Sequence, residues 1–340
     1  MRIGVVGCGA WGTNHARTLR GFRALAAVAD ADPGRAEATA NGFGCAAMTP
    51  DALLADPSIQ GVVLALPPHL HAQTALDVLA AGKHLLVEKP MALDLVSGQA
   101  IVDAAQAANL VAMTGHLLRF HPAFLALETI LQEGRLGQIR YIQSTRIGLG
   151  RFFSGADALW DIAPHDLSLI LALTGAMPQA VQLETSSVVG VGNDIAHLHL
   201  TFPGGVQSHS YVSRLAPRRD RSLTVIAGNG MAVFDDLKPW PQKLALYPNQ
   251  VWRDGDDVHF TSAEPTYIAT PETLPLEAEL SHFMACIEGG GTRRSSVAEG
   301  LDVLRVLSMA EAGGQSGKAA PARLTGHSAP PVHPNNERLS

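Results

Sequence analysis

Ile3-Gly4-Val5-Val6-Gly7-Cys8-Gly9-Ala10-Trp11-Gly12-Thr13 is an apolar run that breaks into three glycines spaced G-x-G-x-x-G. The spacing alone says little. Here it follows a strand, opens a helical stretch (Thr13–Leu19), and leads to a second apolar strand, Ala24–Ala29, whose next residue is Asp30, 18 positions past Gly12. Each glycine has its own reason in a dinucleotide-binding turn: Gly7 permits the tight bend, Gly9 lets the backbone approach a pyrophosphate, and Gly12 lets helix and strand pack closely. The helix N-terminus then offers free N–H groups and a partial positive charge to phosphate. Ala10 and Trp11 complete the cofactor loop, with Trp11 and Cys8 read as packing rather than reactive residues. Asp30 can accept from both adenosine ribose hydroxyls and would repel a 2′-phosphate, so NAD is expected over NADP. Arg35 pulls the other way, because it can reach a phosphate.

Outward from this turn, residues 1–120 alternate strand and helix signals. Further strands are expected at Gly61–Leu66, His84–Val87 and Val111–Thr114, and a helix at Ala72–Ala81 with Gly82 past its last turn. Strands alternating with helices imply a parallel sheet with right-handed crossovers. After Phe120 the texture changes. Tyr141–Ile147, Ala180–Val188, Ala196–Phe202, Val206–Val212, Leu223–Ile226 and Met231–Phe234 are β-rich. Turn signals fall between them at Pro203-Gly204-Gly205 and Gly228-Asn229-Gly230, which predicts a mainly antiparallel sheet. Helices are expected at Pro122–Glu133 and Pro164–Leu173, with Leu276–Glu288 and Ser296–Glu311 closing this second domain. The expected division is therefore 1–120 for cofactor binding, 121–312 for substrate binding and oligomerisation, and a flexible Pro/Gly/Ser-rich tail at 313–340.

Composition narrows the function classes. The chain has 340 residues, 46% of them apolar and 16% charged, enough for two domains and a large core. No apolar stretch has the length of a membrane span. A strand begins at Arg2 with no signal peptide ahead of it, and the three cysteines (Cys8, Cys45, Cys286) fit neither a metal spacing nor a disulfide framework, so cytoplasmic residence is expected and no metal. Net charge is −6 and no basic stripe stands out, which argues against nucleic acid as a partner. The densest basic cluster, Arg214, Arg218, Arg219 and Arg221, reads as a solvated hairpin that could meet a phosphorylated substrate.

Three further patches carry chemistry. Glu88-Lys89-Pro90 follows the strand His84–Val87, so the Lys89 ammonium belongs at the carboxyl edge of the sheet, where ligands of open parallel sheets sit. Oxidising an alcohol needs a hydride acceptor, a base for the hydroxyl proton, and a donor for charge on oxygen; Lys89 suits the last role. Trp160-Asp161-Ile162-Ala163-Pro164-His165-Asp166 places Asp161 and His165 four apart. With Pro164 in the first turn of a helix, the two can face one cleft, His165 as base and Asp161 beside it, or else serve as a cap and a core histidine. Gly115-His116-Leu117-Leu118-Arg119-Phe120-His121-Pro122 follows a sheet strand at the domain junction, where Arg119 and His121 can bind substrate or pin the domains together. The loop Leu66-Pro67-Pro68-His69-Leu70-His71 should pass the cofactor ribose, His71 being either its contact or a helix-start residue.

The stretch Ala81-Gly82-Lys83-His84-Leu85-Leu86-Val87-Glu88-Lys89-Pro90, with the glycine turn and the Asp161/His165 pair, resembles the Gfo/Idh/MocA oxidoreductase family, and the resemblance runs from Arg2 to about Ala312. It implies an α/β plus α+β fold: an N-terminal Rossmann domain and a C-terminal domain with an open, mainly antiparallel β-sheet that commonly forms homodimer or homotetramer interfaces. By motif, Lys89 matches the catalytic lysine and Asp161 and His165 match the D-x-x-x-H pair. The cofactor set implied is Gly7, Gly9, Ala10, Trp11, Gly12, Asp30, Arg35, Leu66, Pro67, His71, Glu88 and Lys89. The substrate set is Lys89, Arg119, His121, Trp160, Asp161 and His165. Ser168 and Ala163 depart from the Asp and Gly found in many members. The loop 7–14 and the segment 159–166 resemble members that oxidise the 3-hydroxyl of a UDP-linked N-acetylhexosamine or its uronic acid. A dehydrogenase or reductase of a free sugar, inositol or other polyol, a glycosidase using retained NAD, and a non-enzymatic NAD-responsive regulator are the alternatives.

Overall fold

The computed structural model describes residues 1–150, 157–189, 192–290 and 294–314. Residues 315–340, most of the expected tail, lie outside the described residues. The chain begins with β1 (Ile3–Val6), α1 (Ala10–Gly21), β2 (Leu25–Ala29), α2 (Pro33–Phe43), β3 (Ala46–Met48), α3 (Pro50–Ala55), β4 (Gly61–Leu64), α4 (Pro68–Ala80), β5 (His84–Glu88), α5 (Leu95–Ala107) and β6 (Ala112–Gly115). The six strands form one sheet in the order β3-β2-β1-β4-β5-β6, parallel throughout. Strand order reverses between β1 and β4, so a crevice opens there beyond the carboxyl ends. β1 and β4 are buried along their whole length, because helices cover both faces of such a sheet; this is why their sequences are apolar runs rather than alternations. Helix starts follow local chemistry. Asp32, Thr49 and Asp94 accept backbone N–H groups at the heads of α2, α3 and α5, and Gly82 takes the left-handed conformation (φ 70°) after α4.

A short 3-10 helix, Leu117–Phe120, and α6 (Pro122–Gln132) lead into the second sheet. Its strands are β7 (Ile139–Leu149), β8 (Ala180–Ser186), β9 (Ile195–Thr201), β10 (Gln207–Ser213), β11 (Leu215–Ala227), β12 (Gly230–Asp235), β13 (Leu244–Tyr247) and, after a separate hairpin of β14 (Val251–Asp254) and β15 (Asp257–Phe260), β16 (Thr266–Tyr267). The order is β16-β13-β12-β11-β7-β10-β9-β8, antiparallel except for the parallel pair β7–β10. Helix α7 (Ala158–Thr174), between β7 and β8, packs on β7, β9 and β10. In β9, Ala196, Leu198 and Leu200 point into that interface and are buried. The alternate residues His197 and His199 face the other way and stack with His209 and Tyr211 of β10, as the two-residue period of a strand requires.

The last two helices differ from expectation. α8 (Pro275–Ile287) and α9 (Val297–Gly314) do not simply close the second domain. Leu280, Phe283 and Cys286 of α8 share a core with Ile3, Val5 and Leu19. α9 packs on α5 and β6 as well as on α7 and β8. Ser295, just before α9, is hydrogen-bonded to Thr114 of β6, with Thr114 N donating to its carbonyl at 2.8 Å. The parallel sheet needs cover on both faces, and the chain returns after the second sheet to supply part of it.

Candidate active site

At the carboxyl end of β1 the glycines sort by what a side chain would meet. Gly7 has φ 99°, and a Cβ there would lie 2.3 Å from the Ala65 carbonyl oxygen. A Cβ on Gly12 would lie 1.8 Å from the Gly7 carbonyl oxygen. These two glycines are required by the fold. A Cβ on Gly9 would meet nothing within 4 Å, so its space is open on the side a ligand would approach. No side chain caps α1 and its first turn holds no acid, which leaves its N-terminal N–H groups available to an anion. Asp30 is drawn into the loop: Oδ2 accepts from Cys8 N at 2.7 Å and Oδ1 from Asp32 N at 2.9 Å. Arg35 lies 3.7 Å from Asp30 with its side chain half exposed. Leu66 packs beside Gly7, and Pro67 precedes α4. The residues present fit a dinucleotide.

Glu88 is buried beneath this loop. It accepts from the Trp11 indole N–H, and its Oε1 is 2.7 Å from His15 Nε2. His71 is buried between two loops. Its two ring nitrogens lie 2.8 Å from the carbonyls of Pro90 and Leu66; burial lowers its pKa, so the neutral ring carries one N–H and donates to one of the two.

Lys89, at the end of β5, is the joint between the two sheets. Its Nζ donates to the Asp161 carbonyl at 2.7 Å and to the Asp161 carboxylate at 2.8 Å. α7 starts earlier than expected: Asp157 caps it, accepting from Trp160 N at 2.9 Å, and Pro164 lies inside the helix. Without an N–H, Pro164 cannot bond the Trp160 carbonyl and loosens that turn; the next carbonyl along is the one Lys89 reaches. Asp161 and His165 are one turn apart and share a face. His165 is held well below the usual histidine range, first by burial, then by the positive charges of Lys89, Arg146 and Arg221 and by His116. Its Nδ1 is enclosed without a partner among the described residues. The imidazole is therefore uncharged at neutral pH, the state a base requires. Beside it Arg146 binds Asp166 at 2.8 and 2.9 Å, and burial raises the Asp166 carboxyl.

Three expected substrate residues have partners within the fold. Arg119 is buried; it donates to Glu299 at 2.9 Å and lies 3.8 Å from Glu128. A buried guanidinium needs such carboxylates, so Arg119 ties α6 and α9 together. His121 caps α6, its Nδ1 accepting from Ala123 N at 3.1 Å, and stacks on Trp240; burial pushes its pKa down to about 4. The Trp160 indole donates to Glu311 of α9 at 2.8 Å. Conversely, His116, Arg146 and Arg221 surround His165 electrostatically without having been singled out for this site. His116 had a usable signal, since it follows β6 at the same sheet edge as Lys89.

Residues 1–116 match the oxidoreductase family with an NAD-binding Rossmann fold, and residues 124–233 match the GFO/IDH/MocA C-terminal domain. The UDP-N-acetylglucosamine 3-dehydrogenase of Acidithiobacillus ferrooxidans is 32% identical over 239 residues, 70% of this chain and 74% of that protein. The chain belongs to the Gfo/Idh/MocA oxidoreductase family. The inositol 2-dehydrogenase of Rhizobium meliloti is 27% identical over 92% of this chain and 95% of its own. The solved structure of UDP-N-acetylglucosamine 3-dehydrogenase GnnA from A. ferrooxidans superimposes with a TM-score of 0.81 at 28% identity, covering 93% of this chain and 98% of that one. This Gfo/Idh/MocA protein thus joins an NAD-binding Rossmann unit to the family's C-terminal sheet. No helix among its described residues is long and apolar enough to cross a membrane.

Proposed function

We propose that this oxidoreductase uses NAD to oxidise the 3-hydroxyl of a UDP-N-acetylhexosamine, or of its uronic acid, to a ketone. The observation that carries the reading is the joining of Lys89 to Asp161, one turn from a neutral His165, at the crevice where Gly9 leaves open space. Gly7, Gly9, Gly12 and the head of α1 hold the diphosphate of NAD, and Asp30 its adenosine ribose, disfavouring a 2′-phosphate. NAD, when bound, supplies the acceptor for the hydride that leaves the carbinol carbon with its electron pair. The remaining chemistry belongs to the chain. The Lys89 ammonium has three N–H bonds, and Asp161 takes two of them, leaving the third for the reacting oxygen. His165 takes the hydroxyl proton, a step worth about 10²–10⁴-fold for a positioned base. Asp161 fixes Lys89 and balances its charge. The protein works in the cytoplasm as a homodimer or homotetramer, with the open face carrying His197, His199 and Tyr211 as the contact.

Oxidation of a free polyol is the second reading, favoured by the likeness to inositol 2-dehydrogenase over nearly the whole chain. A panel decides between them. The protein is given NAD with UDP-N-acetylglucosamine, UDP-N-acetylglucosaminuronic acid, myo-inositol or free glucose, and NADH absorbance is followed. NADH formed with the UDP-sugars is expected. Turnover confined to the free polyols moves the assignment to the second reading, and NAD binding with no NADH from any sugar refutes both.

A further inference from the structure

At this sheet edge the hydrogen-bond accounting of His116 leaves an unused acceptor among the described residues. The β5–β6 register pairs Val87 with Thr114 and Glu88 with Gly115, so one further step sets Lys89 beside His116. The residue is 2% exposed. Its Nδ1 lies 3.3 Å from the Ser295 hydroxyl. That hydroxyl has a single proton, given to the Thr114 carbonyl at 2.7 Å, while the Ser295 carbonyl accepts from Thr114 N at 2.8 Å. Ser295 is pinned at both ends and can only accept from the imidazole. His116 therefore carries its proton on Nδ1 and presents Nε2 as a bare lone pair. Nε2 makes no hydrogen bond among the described residues, and it is not among their enclosed unpartnered atoms. Burial and the nearby Arg119 and Lys89 charges lower the His116 pKa to about 3, which keeps the ring neutral. The 3-10 helix that starts at Leu117 is tied to α7, with Arg119 donating to the Ser168 carbonyl at 3.5 Å, three residues past His165.

We propose that His116 is a specificity-determining residue, its Nε2 accepting a hydrogen bond from the hydroxyl or amide N–H on a carbon next to the one oxidised. An acceptor with no proton of its own selects for a donor on the sugar. A substrate lacking that donor would leave the lone pair buried and unpaired. The assignment rests on the sugar-dehydrogenase reading above.

The test compares kcat/KM for UDP-N-acetylglucosamine with its 4-deoxy analogue and with its 2-deoxy analogue lacking the acetamido group. The enzymes are wild type, His116→Asn and His116→Gln. Asn keeps a donor toward Ser295 and loses the far acceptor; Gln extends a carbonyl to the Nε2 position. Wild type should prefer the parent over one analogue by about 10- to 100-fold. His116→Asn should lose that preference through slower use of the parent alone, and His116→Gln should restore part of it, with NAD affinity and melting temperature unchanged in both. A folded, NAD-binding His116→Asn that discriminates against both analogues as wild type does overturns the assignment. A wild-type enzyme that makes no NADH from the parent overturns the underlying reading as well, and NADH formation tells the two failures apart.

Discussion

Gly9→Ala isolates the cofactor site from the fold. The backbone at Gly9 (φ −69°, ψ −174°) is open to any L-residue, and the added methyl would meet no protein atom within 4 Å. Stability should therefore hold or rise by about 0.4–1 kcal/mol, since alanine restricts the unfolded chain. The methyl does enter the space assigned to the pyrophosphate, and forcing a methyl into a filled contact costs about 1–3 kcal/mol. At 1.4 kcal/mol per tenfold, NAD should bind about 5- to 150-fold more weakly. Gly12→Ala is the converse control. Its Cβ would fall 1.8 Å from a backbone oxygen, so it should lower the melting temperature whether or not NAD is present. Calorimetric titration with NAD and thermal melts of both variants supply the two readouts. A Gly9→Ala protein with wild-type NAD affinity would place the diphosphate elsewhere and refute the reading of this loop.

Lys89→Ala should cost about 10²–10³-fold in kcat, the usual loss for one removed donor at a developing oxyanion, while NAD still binds; a variant with near-normal kcat contradicts the role given to the ammonium. Glu279 of α8 is fully buried, neither carboxylate oxygen has a hydrogen-bond partner among the described residues, and burial followed by the Glu88 charge raises its pKa well above 4.5. The unfolded chain loses this proton near its ordinary value while the folded one keeps it. Its stabilising contribution is thus complete below about pH 4.5 and is lost as pH rises through the higher folded value. Glu279→Gln should melt above wild type at pH 7–8, by about 1–2 °C for each kcal/mol removed in a chain of this length, and the gap should close toward pH 4.5; a gap independent of pH would count against a titrating Glu279.

Much of the fold was legible because local signals agreed with one another. Ile3–Val6, the glycine turn and the acid after Ala29 each call for the same strand–helix–strand unit, and the Gly228–Gly230 turn falls between β11 and β12 as its residues demand. Where the signals competed, the reading slipped. Pro164 is a good helix-start residue and drew the expected start to itself; the cap at Asp157 shows only once Trp160 N is seen to bond it. The apolar spacing of Leu280 and Phe283 announces burial without naming the partner, which turned out to be the first strand. Arg119 sits where a cleft residue would, but the Glu299 that claims it is 180 positions away, a separation over which no local pattern carries information. His71 was open between two roles for a related reason: the Pro90 carbonyl it lies against comes from another loop.

The return of α8 and α9 has a bearing on how the chain is made. Leu280 and Phe283 complete the packing around Ile3 and Val5, so the polypeptide emerging first from the ribosome cannot finish its own nucleotide-binding unit. The second sheet is, in topology, an insertion within that unit, and vectorial synthesis leaves an apolar flank bare until α8 has been made. A truncated product that stops near residue 120 would be a sticky half-domain, a natural client for chaperones, rather than a free-standing NAD module.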